Sequence, residues 1–179
     1  MKRIFRAIAA MSLAVVGATV VAASPAAAGA LDVTCLPPSS NVNSYSPPLT
    51  NQPQPVTAST TALYGPCTSV SHPAITSGSR TATVPLTASC LDLLGSGTLT
   101  YTITWNTGQT STITSNFTRT VVGAVYEILA TGTVTAGVFA GDSVVTDFTG
   151  PSTDITLCTL GLGTVSSVYN VGTLEITSL

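Results

Sequence analysis

The sequence predicts an all-β fold, an antiparallel β-sandwich of about eight or nine strands, immunoglobulin-like in general architecture. Three observations predict it. Residues 97–117, GTLTYTITWNTGQTSTITSNF, alternate threonine with larger apolar side chains, the period of a half-buried strand. Threonine, which is β-branched and favours strands, makes up roughly a fifth of residues 31–179. Short alternating runs recur between Gly-, Pro- and Asn-rich stretches, with no sustained helical period.

The elements follow in order. LDVTC (31–35) is a short strand. Residues 37–55, rich in Pro and Asn, predict a long loop with at most an edge strand. VTASTTALY (56–64) alternates loosely, and GPC then turns the chain. VSHPAITSGS (70–79) predicts a loop, and RTATVPLTASCLDL (80–93) a strand interrupted or bulged at Pro85. Leu99, Tyr101, Ile103 and Trp105 fall on one face, against Thr98, Thr100, Thr102 and Thr104 on the other. After the turn residues NTG, Ile113 and Phe117 continue the apolar side, which predicts a β-hairpin with these six residues lining the interior. VVGAVYEILATGTVTAG (121–137) predicts a strand or pair broken near Gly132. GDSVVTDF (141–148), TDITLCTL (153–160) and GTLEITSL (172–179) complete the strands, with GLGTVSSVYNVG as a Gly-rich connection.

Residues 1–30 predict a cleaved signal peptide. Lys2, Arg3 and Arg6 precede an apolar run over 7–23, and SPAAAGA offers small residues for cleavage after Ala28 or Ala30. Cys35 lies too far past either position, and in the wrong context, for lipid acylation. The expectation is a secreted, extracellular chain, with 31–179 as one domain. Beyond residue 30 the cations are Arg80 and Arg119, against Asp32, Asp92, Glu127, Asp142, Asp147, Asp154 and Glu175, a net charge of −5. Such a chain has no basic patch with which to hold nucleic acid or an anionic membrane.

Four cysteines, Cys35, Cys67, Cys90 and Cys158, are widely spaced in an exported chain and predict two disulfides rather than a metal or redox site. Three pairings are open; Cys35–Cys67 and Cys90–Cys158 are favoured, one pinning the Pro-rich segment and one tying an early strand to a late one.

LYGPC, LTASCLDLLGSGT, WNTGQTSTI, GTVTAGVFAGDSVV and LCTLGLGTVSSVYNVGTLEI resemble small secreted, uncharacterised β-rich proteins of actinobacteria. The resemblance implies a signal peptide and an immunoglobulin-like β architecture, and carries no catalytic residue across. Trp105 departs from antibody-type domains, since it does not sit between two cysteines at the usual inter-sheet spacing.

No constellation predicts catalysis, a metal or a cofactor. Gly141-Asp142-Ser143-Val144 resembles the nucleophile block of GDSL-type esterases, but it falls late in an all-β chain, and the single histidine, His72, sits in a Ser/Pro loop. Glu127 and Glu175 are the pair a glycosidase would need, with nothing to bring them together. Asp142, Asp147 and Asp154 match no compact calcium loop. The threonine ribbon lacks the long in-register repeat of an ice-binding surface. Tyr45, Tyr64 and Tyr169, in or near predicted loops, are the candidate sugar-stacking aromatics. The predicted function is a secreted, non-enzymatic protein that binds an extracellular partner, polysaccharide or protein. A carbohydrate-binding or adhesin-like module is the alternative, and an unrecognised hydrolase ranks third.

Overall fold

The computed structural model describes residues 31–178. The expected signal peptide and its cleavage positions lie outside the described residues. Ten strands form: β1 (Leu31–Cys35), β2 (Ser40–Leu49), β3 (Gln54–Tyr64), β4 (Cys67–Ser69), β5 (Gly78–Ala88), β6 (Gly95–Trp105), β7 (Thr110–Val122), β8 (Val125–Gly137), β9 (Ser143–Pro151) and β10 (Val165–Thr177). A 3-10 turn at Cys90–Leu93 joins β5 to β6, and a short helix, α1 (Thr153–Thr159), joins β9 to β10.

The sheet is a closed barrel, not a sandwich. Its order runs β2-β3-β5-β6-β7-β8-β9-β10, and β10 pairs antiparallel with β2 to close the ring of eight. β10 is long enough to serve three neighbours. Its whole C-terminal half pairs with β9, its N-terminal half pairs with β2, and its last residues also pair with β1, which carries β4 outside the ring.

The correction turns on β2, which the sequence predicted as loop with at most an edge strand. Asn41 and Asn43 put amides on the inward phase, so the strand shows no apolar alternation. Pro47 and Pro48 lie past Ser46, the last residue paired with β3, so their missing N–H groups cost that ladder nothing. Two other expectations change. TDITLCT is a helix that buries Ile155 and Cys158 at helical spacing. Gly132 lies within continuous β8, and of the Gly-rich connection only residues 161–164 link α1 to β10, since Val165–Gly172 belong to the strand. A Cβ at Gly132 would collide with the Thr114 carbonyl, so glycine there lets β8 run close to β7.

Each barrel end is stoppered. One apolar cluster gathers Ile103, Trp105, Ile113, Val134, Leu174 and Ile176 with the Cys35–Cys67 disulfide; the other gathers Leu49, Val56, Leu93, Tyr126 and Ile155 with Cys90–Cys158. The outer face carries hydroxyls. Thr100 and Thr102 are hydrogen-bonded across the hairpin to Thr114 and Thr112 at 2.9 and 3.0 Å, and Thr98 donates to Asn116 at 2.7 Å.

Candidate functional site

Between the two stoppers several inward residues are small or polar: Asn41 and Asn43 on β2, Thr60 on β3, Ala82 on β5, Ser115 on β7, Ala130 on β8 and Thr146 on β9. The barrel is therefore hollow at its waist, with a cavity of about 530 Å³. That volume falls in the range of small-molecule sites.

The cavity opens sideways. β5 and β6 pair only at Gly78–Trp105 and Ser79–Thr104, and then part. Residues 80–88 and 95–103 face a slot on the order of 25–30 Å long. The cause lies in the connection. Instead of a tight hairpin, the chain turns at Ser89, whose N–H and hydroxyl both donate to Asp92 Oδ2 at 2.7 and 2.8 Å. Cys90–Cys158, Tyr126 Oη donating to the Leu93 carbonyl (2.8 Å) and Arg119 Nη1 donating to the Asp92 carbonyl (3.1 Å) then hold the turn in place. Through the slot solvent reaches inward-facing Val84, Leu86 and Leu99, which are 53%, 39% and 39% exposed.

β5 is a guarded edge. Asn106 N–H donates to the Ser77 carbonyl, and Ser79 pairs with Thr104, so odd-numbered residues of β5 aim their backbone groups at β6. Pro85 is odd, and its ring stands in the slot where an N–H would be. That removes a hydrogen-bond donor from an otherwise free edge.

Both cations of the described residues line this cavity, and none of the seven acids does. Arg80 falls on the same phase as Ala82, Val84 and Leu86. Its guanidinium lies over Tyr101, 4.2 Å from the ring centroid, and its Nε is buried without a hydrogen-bond partner. Arg119 stacks on Phe117 at 4.3 Å, and its Nε is also unpartnered. Burial raises the phenols of Tyr101 and Tyr64, with Arg80 pulling them back; Arg119 does the same for Tyr45 and for Tyr126, whose phenol is pushed up to about 12. The two arginines thus hold different levels of the lumen. Asn170, in register with Asn41, is fully buried with neither end of its amide bonded.

The residues weighed from sequence are scattered. Ser143 donates its hydroxyl to the Thr177 carbonyl at 3.2 Å, whereas His72 is hydrogen-bonded to Ser71 and packs edge-on against Phe139. Glu127 and Glu175 point outward on β8 and β10 with β9 between them. Four residues of stagger and two strand spacings put them about 15 Å apart, too far to share a glycosidic bond. Asp142 meets Asp32 rather than Asp147 or Asp154; burial and then the Asp32 carboxyl raise its pKa. Burial, with Glu127 adding to it, raises Asp147. Among the described residues no three His, Cys, Asp or Glu side chains gather as a metal site. Tyr45, Tyr64 and Tyr169 lie on strands β2, β3 and β10, not in loops. Tyr64 is core, Tyr45 is half-buried, and Tyr169 alone of the three is exposed. One exposed ring makes no stacking platform.

Sequence reasoning used Arg80 and Arg119 only to count charge. Their signal was available, since both occupy the inward phase of alternating strands: R-T-A-T-V-P-L from Arg80, and Ile113, Phe117, Arg119 on β7. Comparison with protein-family models, curated proteins and solved structures finds no match to this chain.

Proposed function

We propose that this protein is an exported, non-enzymatic binding protein that takes a small, largely apolar molecule into its barrel through the slot between β5 and β6. The observation that carries this reading is the parting of those strands after Ser79–Thr104, which opens a lumen stoppered at both ends. A barrel closed for stability alone would pair the two strands throughout and fill its waist. This one keeps Ala82, Ser115 and Ala130 facing the hollow and leaves Val84, Leu86 and Leu99 open to solvent.

Two disulfides accord with an extracellular setting, where such bonds persist. On β6 and β7 the outer wall carries cross-strand hydroxyl pairs, a surface that suits water.

The test is fluorescence titration with N-phenyl-1-naphthylamine, a neutral apolar dye, on the native protein and on Ala82→Trp, which fills the waist from the slot side. Saturable enhancement with the native chain, lost in a variant of equal melting temperature, supports the reading. No saturable binding, or binding that Ala82→Trp leaves unchanged, overturns it.

A further inference from the structure

The lumen is chemically polarised, and its polarity specifies a ligand. At the level of Arg80 stand the amides of Asn41 and Asn43, the Thr60 hydroxyl and the Tyr101 ring. Strand register puts Arg80 opposite Ala62, which is opposite Asn41. Further along the slot the inward wall turns apolar, with Val84, Leu86, Leu99, Phe117 and Ile128.

The Arg80 guanidinium makes no hydrogen bond or ion pair with any described residue, and its Nε is buried. A buried donor on a permanent cation is costly to leave unmade. Arg119 differs, because it already donates to the Asp92 carbonyl. With every acid outside the cavity, nothing in the lumen neutralises Arg80.

From these placements we infer that the lumen binds a long-chain carboxylate, its head on Arg80 and its apolar body along the slot toward Phe117 and Ile128. The inference rests on the binding reading above and adds the chemical class of the ligand. A guanidinium presents paired N–H donors in the plane that a carboxylate accepts, and stacking on Tyr101 fixes that plane. Asn43, held by Thr60 Oγ1 donating to its Oδ1 at 2.7 Å, and Asn41 supply neutral polar groups beside the head. The slot gives an elongated molecule a sideways path that the stoppered ends refuse. No bond is made or broken.

The experiment titrates three fluorescent probes: cis-parinaric acid, its methyl ester, and neutral N-phenyl-1-naphthylamine. Native protein binds the acid at least about tenfold more tightly than the ester, the difference expected for one charge-assisted contact. Arg80→Gln brings the acid's affinity down to that of the ester. Equal binding of acid and ester by the native protein overturns the carboxylate inference and leaves the binding reading standing, with no variant needed. An acid preference that survives in folded Arg80→Gln also overturns it. Failure of all three probes overturns the binding reading itself.

Discussion

The guanidinium of Arg80 lies over the ring of Tyr101, its carbon 4.2 Å from the ring centroid, across the place where β5 and β6 no longer pair. Two edges that should be joined by backbone hydrogen bonds are instead faced by one cation–aromatic contact, worth about 0.5–1 kcal/mol where solvent reaches it. The contact spans the slot at its narrow end and aims an unneutralised charge into the barrel.

Pro85 keeps that open edge from recruiting other chains. Pro85→Thr restores an N–H that points into the slot beside Thr83 and Thr87, and the variant should self-associate more than the native protein at equal concentration. Light scattering coupled to size exclusion measures this; an unchanged mass across a concentration series would count against the guarded-edge account.

The Cys90–Cys158 bond should matter beyond its own contacts, because it fixes the turn that splays β5 from β6. Replacing both cysteines by alanine should lower stability by about 2–5 kcal/mol in urea unfolding. Amide exchange should speed up first in Thr153–Thr159 and around Cys90–Leu93. Uniform acceleration across the barrel would show that the bond has no local role.

Tyr126 closes the same end, its hydroxyl donating to the Leu93 carbonyl at 2.8 Å. Tyr126→Phe keeps the ring and strands that carbonyl, so a loss of about 1–2 kcal/mol is expected from denaturant midpoints. A neutral result would mean that water reaches Leu93.

Asp142 gives a pH signature. Its folded pKa is raised, by burial first and then by Asp32, so its contribution is favourable below the unfolded value of 3.8 and is lost as pH rises through the folded value. Asp142→Asn should therefore melt above the native protein at pH 7, and the gap should narrow as pH falls toward the unfolded value. A gap that is constant with pH would place the effect elsewhere.

How much of this the sequence carried depends on which side of each strand was readable. The hairpin of β6 and β7 was plain, because Leu99, Tyr101, Ile103 and Trp105 are apolar inward and threonine outward. β2 was not, because its inward residues are the asparagines of a polar waist, and without it a ring of eight looks like a sandwich. Closure itself is a non-local pairing, between Ser40 and Val171 at its far end, and no local pattern announces it. α1 was mistaken for strand because Ile155 and Leu157 alternate as well as they do anything else. The site was hidden for the reason that it exists: Arg80 and Arg119 occupy inward positions where alternation leads one to expect aliphatics.

The central claim, that Arg80 receives an anionic head inside the lumen, is most directly tested by two-dimensional ¹H–¹⁵N NMR. Residues 31–179 contain two arginines, so a protein of those residues gives two arginine Nε–Hε signals. Titration with a long-chain carboxylate should move the Arg80 signal strongly, together with amides of residues 80–86 and 97–103, while the outward threonines of β7 stay in place. Saturable binding that leaves the Arg80 Nε–Hε signal unmoved would contradict the account.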